Sequence, residues 1–148
     1  LFMGKANCAT CHFAPLFSGL VPPFFNENES EVLGVTKKPV QNLPLEIDSD
    51  RGRIKNNIKK EDSWIYENSF KTTTVRNIAL TKPYFHNGAF NTLEEVLEFY
   101  NQGGAEGLGL EIKNQTLPAD KLNLSPAEIK LIIAFLNSLT DISKTKSK

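Results

Sequence analysis

Two cysteines separated by two residues and followed directly by a histidine limit what this chain can fold into. The run is Cys8-Ala9-Thr10-Cys11-His12. In a c-type haem attachment site, each sulfur forms a thioether with one vinyl group of the porphyrin, and the histidine lies beneath the iron as its proximal ligand. The motif therefore predicts one covalent haem c and a chain that folds around a large apolar disc.

Other uses of a cysteine pair agree less well with the rest of the sequence. A zinc site needs a second pair of ligands, but outside the motif the chain has only His86 and no further cysteine. A thioredoxin-like pair opens a helix after a strand in a βαβ unit, and this pattern is absent around Cys8. We therefore assign Cys8 and Cys11 to haem attachment and His12 to the iron.

The size and charge of the chain narrow the class of partner. Its 148 residues suit one domain with a single core, and basic and acidic residues balance at 17 each. We therefore expect no nucleic-acid partner. The longest apolar segment, residues 129–139, is interrupted by Lys130 and Asn137. It is shorter than the roughly 20 residues that span a bilayer, so we expect no membrane span.

The expected compartment follows from the cofactor, because covalent haem attachment normally happens after export. We therefore expect a periplasmic or otherwise exported bacterial protein. The first four residues, Leu-Phe-Met-Gly, have neither the charged nor the apolar region of a signal peptide. Residues 1–11 are typical of the end of a helix that has no start. We expect a mature form, or part of a longer chain.

Capping signals predict a helix in the second half of the chain. Thr92 and Glu95 form a capping box, and Gly103-Gly104 ends the helix. Apolar residues spaced i, i+3, i+4 and i+7 share one face of this helix. They are Leu93, Val96, Leu97 and Tyr100.

The last helix has equally clear signals. Ser125 caps it, Pro126 takes the first helical position, and Glu128 completes a capping box. A broad apolar face follows, which we expect to be buried. Its members are Ile129, Ile132, Ile133, Phe135, Leu136 and Leu139.

Elsewhere the sequence predicts mostly loops. Prolines recur between residues 13 and 50 and exclude a long helix there. A short helix is predicted over 74–80, followed by a tight turn that ends at Asn87-Gly88. No run alternates apolar and polar residues as a strand would. The predicted fold is an all-α, cytochrome c-like domain with few helices and long loops around one haem.

Five runs in a fixed order carry more information than the haem motif alone. After Cys-x-x-Cys-His come Asp50-Arg51-Gly52-Arg53, then FKTTTVRN at 70–77, LTKPYFHNG at 80–88 and TLEE at 92–95. Together they resemble the C-terminal domain of the bacterial di-haem cytochrome c peroxidases and their MauG-type relatives. The resemblance covers nearly the whole chain and is weakest over residues 13–48.

The resemblance implies a two-domain protein with one c-type haem in each domain. The N-terminal haem would react with hydrogen peroxide, and the C-terminal haem would relay electrons to it. Residues 1–148 would then be the second haem domain of a peroxidase-type oxidoreductase, with no catalytic residue of its own. Its partners would be the N-terminal haem domain, or a partner haem chain, and a redox donor protein. Two alternatives stay open: a mono-haem electron carrier and a haem-based sensor.

The ligand on the distal side of the iron is not a methionine. The only one, Met3, lies five residues before Cys8 and is tied to the proximal side. The remaining candidates are Tyr100, His86, Tyr84, water or an open site. The resemblance favours Tyr100, since this position holds Met in the peroxidases and Tyr in MauG-type proteins. A core tyrosine that hydrogen-bonds a neighbour is the alternative.

Further positions are candidates for sites near the haem. Arg76 either binds a haem propionate or lies on a helix surface. We expect His86 to form hydrogen bonds near the haem edge rather than to bind iron. The resemblance also implies a calcium ion between the two domains, bound in part by the backbone carbonyls of Thr81 and Pro83.

Overall fold

The computed structural model describes residues 1–20, 23, 29–55 and 61–141. Among them, short regular elements are separated by long loops. Two strands, β1 and β2, span Ser30–Val32 and Ser69–Lys71, and three α-helices, α1 to α3, span Leu93–Asn101, Gly104–Gly107 and Pro126–Ser138. Four 3-10 helices lie at Cys8–Thr10, Arg53–Lys55, Ser63–Tyr66 and Ile78–Leu80.

The two strands overturn the all-α prediction. β1 pairs with β2 in an antiparallel sheet, with Glu31 opposite Phe70. Each strand has only three residues, which is too short for an alternating pattern to stand out in the sequence. Their pairing is also non-local, so no hairpin turn signals it. The prediction of few helices and long loops agrees with the structure, whereas the all-α class is wrong.

Both capping boxes are confirmed. At the start of α1, the Thr92 hydroxyl accepts a hydrogen bond from the Glu95 N–H at 3.1 Å, and the Glu95 carboxylate accepts one from the Thr92 N–H at 3.1 Å. Ser125 and Glu128 form the same pair at the start of α3. α1 ends before Gly103, whose φ of 83° needs a residue without a side chain, since a Cβ there would collide with a backbone carbonyl.

Two helices predicted from the sequence are shorter in the structure. Residues 2–6 form turns, and only Cys8–Thr10 forms a 3-10 helix. The helix predicted over 74–80 is reduced to Ile78–Leu80. In both places the residue before the short helix, Asn7 or Asn77, has a left-handed backbone with φ of 50° or 59°. A left-handed residue interrupts a right-handed helix, which explains both differences.

The core lies between α1, α3 and the loops that pack on them. Phe90 and Phe99 are fully buried, and Ile132 is 1% exposed. Burial of each such side chain contributes about 1.5–3 kcal/mol to stability. Phe2 packs on Phe135 with ring centroids 4.9 Å apart, which joins the start of the chain to α3. Of the predicted α3 face, Ile132 and Leu136 are buried, and the other members pack partly buried against the core.

A second, smaller cluster ties the sheet to α2. Val32 of β1 packs with Ala105 of α2 and with Ile112. Gly34 allows this approach, because a Cβ there would collide with the Ala105 side chain. Since successive side chains of a strand point to opposite faces, Glu31 points away from this cluster. In the described part of the chain, no helix has the length and apolar character needed to cross a membrane.

Replacing Glu128 with Gln tests the link between the start of the chain and α3. Hydrogen bonds from Lys5, at 2.7 Å, and from the Ser125 N–H lower the pKa of Glu128 to about 2. A lowered carboxylate pKa stabilises the folded state above the unfolded pKa of about 4.3, and this stabilisation is lost as the pH falls through the folded value. Gln keeps the capping box but not the charge.

We therefore expect the Glu128→Gln variant to lose stability less steeply than the wild type between about pH 4.5 and pH 2. Urea unfolding followed by circular dichroism at several pH values measures this slope. Equal slopes for the two proteins would show that the Lys5 contact does not stabilise the fold.

Candidate haem-binding site

The two cysteines and the histidine are presented by one compact turn. Cys8 begins a 3-10 helix, and the N–H groups of Cys11 and His12 both donate to the Cys8 carbonyl, at 3.4 and 3.0 Å. The Thr10 hydroxyl donates to the carbonyl of Asn7 at 2.7 Å, which closes the same turn. Both thiols are free and partly buried. This arrangement holds two sulfurs and one imidazole within five residues.

The environment keeps both thiols protonated. Burial raises the pKa of Cys8 to about 11 and that of Cys11 to about 11. The carboxylate of Glu31 raises the pKa of Cys11 further, because it is close to that sulfur. At neutral pH both groups are therefore neutral thiols, which are less reactive toward oxidants and metals than thiolates.

The imidazole of His12 is also kept neutral. Burial lowers its pKa and outweighs the nearby carbonyls of Thr73 and Phe17, which raise it. A neutral imidazole has the free lone pair that an iron ligand needs. Its Nδ1 is buried and has no hydrogen-bond partner in the described residues. The donor set of two thiols and one neutral, incompletely satisfied imidazole fits a c-type haem.

The loop after His12 is held by residues from the central run of the sequence. The N–H of Val75 donates to the Phe17 carbonyl at 2.9 Å. The guanidinium of Arg76 donates to the Pro15 carbonyl at 2.8 Å and lies 5.6 Å from the centre of the Phe17 ring. Arg76 is exposed and precedes the helix Ile78–Leu80 rather than lying on it. Arg76 therefore stabilises the loop that follows His12, and its binding to a haem propionate stays a prediction.

Tyr100 lies near the end of α1 and close to the haem motif. Burial raises its pKa well above the usual range, and the sulfurs of Cys8 and Cys11 raise it further. The residue as a whole is only partly buried.

The other two side chains proposed for the distal side have different surroundings. Burial raises the pKa of Tyr84, and the charged neighbour that adds to this effect is Glu94 rather than a cysteine. His86 stacks on Phe70, with ring centroids 3.5 Å apart and an interplanar angle of 6°, and contacts Asp48 at 3.4 Å. Burial lowers the pKa of His86. These surroundings favour Tyr100 over both.

Sequence reasoning missed Glu31. The charge of this carboxylate raises the pKa of Cys11, His12 and Tyr100, in each case less than burial changes it. Its direction is set by β1, which points Val32 toward α2 and Glu31 toward the opposite face. The position of Glu31 depends on the pairing of β1 with β2, and no sequence pattern predicts this pairing.

The proposed calcium ligands lie in an exposed loop. Thr81 and Pro83 follow the helix Ile78–Leu80 and precede the buried Tyr84. Calcium takes six to eight oxygen ligands, and two carbonyls fall well short of that number. In the described ranges no cluster of three or more His, Cys, Asp or Glu side chains could hold a metal ion. The carbonyl pair on its own does not fit a calcium site.

Comparison with known proteins identifies several relatives. No family model matches the chain. The chain is 35% identical over 151 residues to the cytochrome c peroxidase IdrP2 of Pseudomonas sp. strain SCT, which covers 95% of this chain and 38% of that protein. It is 29% identical over 141 residues to the methylamine utilization protein MauG of Methylorubrum extorquens, covering 94% of this chain and 32% of that protein.

A solved structure agrees in fold. A MauG-like protein associated with microbial copper homeostasis superposes with a TM-score of 0.66, at 24% identity, over 96% of this chain and 42% of that chain. These findings confirm the predicted resemblance to the cytochrome c peroxidases and MauG proteins. The chain spans less than half the length of each of these relatives.

Proposed function

We propose that this chain is the C-terminal, electron-relay haem c domain of a di-haem oxidoreductase of the cytochrome c peroxidase and MauG type. One observation carries the proposal: 95% of the chain aligns with a cytochrome c peroxidase while spanning only 38% of it. The rest of such a protein leaves room for a second domain. We assign the reaction with peroxide to that domain, and electron transfer to this one.

The residues of this chain would attach and orient the cofactor. Cys8 and Cys11 would form the two thioethers, and the 3-10 helix Cys8–Thr10 would hold their sulfurs at a constant spacing. His12, kept neutral by burial, would bind from the proximal side. When bound, the haem supplies a reversible one-electron centre, and the protein supplies its ligands and shields it from water.

Tyr100 would be the distal ligand. Burial keeps the Tyr100 hydroxyl protonated when no cation is nearby. Binding to iron would therefore require the proton on Oη to leave. A phenolate oxygen is a hard anionic donor, which favours ferric over ferrous iron, whereas a thioether does the reverse. The domain would therefore resemble the MauG type more closely than the Met-ligated peroxidases.

Location and partners follow from the same proposal. Because covalent haem attachment normally follows export, the protein would lie in the periplasm, where a soluble redox protein would donate electrons. Arg76 would bind a haem propionate in addition to the Pro15 carbonyl.

Calcium would bind at Thr81 and Pro83 only if a second domain and waters complete the site, since calcium needs more oxygen ligands than these two.

Replacing His12 with Ala in the complete protein tests the electron-relay role. Without its proximal ligand this domain should no longer pass electrons, so steady-state consumption of peroxide with a reduced donor should stop. A single equivalent of peroxide should still react at the other haem. Steady-state and single-turnover kinetics separate the two effects. Unchanged steady-state turnover would contradict the proposal, as would peroxide turnover by this domain alone.

Replacing Tyr100 with Met tests the distal ligand. Exchange of an anionic oxygen for a thioether should raise the midpoint potential of this haem by on the order of 100 mV, within the roughly 0.8 V range that axial ligands control. A spectroelectrochemical titration measures the shift. Tyr84→Phe is the matched control and should leave the potential unchanged. No upward shift in the Tyr100→Met variant would refute the ligand assignment.

A further inference from the structure

The segment from Tyr84 to Phe90 forms a closed turn beside the candidate haem site. The N–H of Tyr84 donates to the Phe90 carbonyl at 2.7 Å, and the N–H of Gly88 donates to the Phe85 carbonyl at 3.4 Å. The side chain of Asn87 closes the turn from within by accepting a hydrogen bond from the Ala89 N–H at 3.1 Å. Such a turn gives its residues little freedom to rearrange.

Side chains on both sides of Phe85 fix the turn to the rest of the fold. Tyr84 is 8% exposed and belongs to the core. On the other side, His86 stacks on the Phe70 ring, and Asn87 donates to the Thr36 carbonyl at 3.1 Å. Phe85 itself has a φ of 62°, a conformation that bulky residues rarely adopt. The surrounding contacts impose this strained backbone, and strain of this kind clusters at functional sites.

The consequence of that backbone is where the Phe85 ring lies. Its centroid is 4.7 Å from that of Phe90, 5.3 Å from that of Phe99 and 6.1 Å from that of Tyr100. In the described ranges, the aromatic rings that contact Tyr100 are those of Phe85 and Phe99. Phe99 is the neighbour of Tyr100 on α1 and moves with it. Phe85 is therefore the aromatic contact that orients Tyr100 relative to the rest of the protein.

We propose that Phe85 is a positioning residue that holds the Tyr100 phenol in the place from which it binds the haem iron. This inference rests on the proposed ligation by Tyr100. The ring of Phe85 contacts Tyr100 from outside α1, and the hydrogen bonds of the turn hold the Phe85 backbone in place. Groups that orient a metal ligand through hydrogen bonds typically change metal affinity 10–100-fold when they are lost, and we expect a packing contact to act at the lower end of this range.

The test uses the complete haem-loaded protein and imidazole as a competing distal ligand. Imidazole must displace Tyr100 to bind the ferric iron of this domain's haem, so loosening Tyr100 strengthens imidazole binding at that haem, whose spectral change is followed separately from that of the second haem. Phe85→Leu should lower the dissociation constant for imidazole about tenfold and weaken the tyrosinate–iron band in the resonance Raman spectrum. Phe85→Tyr keeps the ring and should restore wild-type values. Phe90→Leu removes a ring that touches Phe85 and Phe99 but not Tyr100, and should change imidazole binding less than Phe85→Leu does.

A double-mutant cycle separates positioning from a general loss of packing. In a Tyr100→Phe background there is no ligand to position, so Phe85→Leu should have no further effect on imidazole binding. An equal effect of Phe85→Leu in both backgrounds would overturn the inference, as would an equal effect of Phe90→Leu. If Tyr100→Phe itself leaves the imidazole dissociation constant and the Raman spectrum unchanged, the ligand assignment fails and the inference fails with it.

Discussion

The candidate site depends on a single turn of backbone that carries two thiols and one imidazole. The 3-10 helix Cys8–Thr10 forms this turn, and the left-handed Asn7 before it prevents the turn from growing into a longer helix. Burial then acts on all three groups in the same sense, because it keeps both thiols protonated and the imidazole neutral. A haem attached here would be covered by chain segments that are remote in sequence, as long loops allow.

Those loops converge on the haem motif because two capped helices provide a fixed frame. α1 and α3 contribute Phe99 and Ile132 to one core cluster, and the Phe85 ring packs on Phe99 within it. The backbone of Phe85 costs about 1–3 kcal/mol relative to a relaxed residue. The strained backbone of Phe85 occurs where its ring contacts Tyr100, so the strain lies directly beside the candidate ligand.

The features that could be predicted from the sequence are those whose causes are local. The capping boxes at Thr92 and Ser125 involve residues three apart, and both are present in the structure. The strand pair and the position of Glu31 depend on contacts between segments that are far apart in the chain, so no pattern in either segment reveals them. The left-handed Asn77 shows the same limit, because asparagine tolerates this conformation without requiring it.

Mass spectrometry of the peptide that trypsin releases after Lys5 tests the central claim most directly. This peptide contains both cysteines of the chain. If Cys8 and Cys11 attach a haem c, the peptide from the native protein carries the mass of one haem and neither sulfur reacts with iodoacetamide. A peptide of unmodified mass, with both cysteines alkylated, would contradict the account.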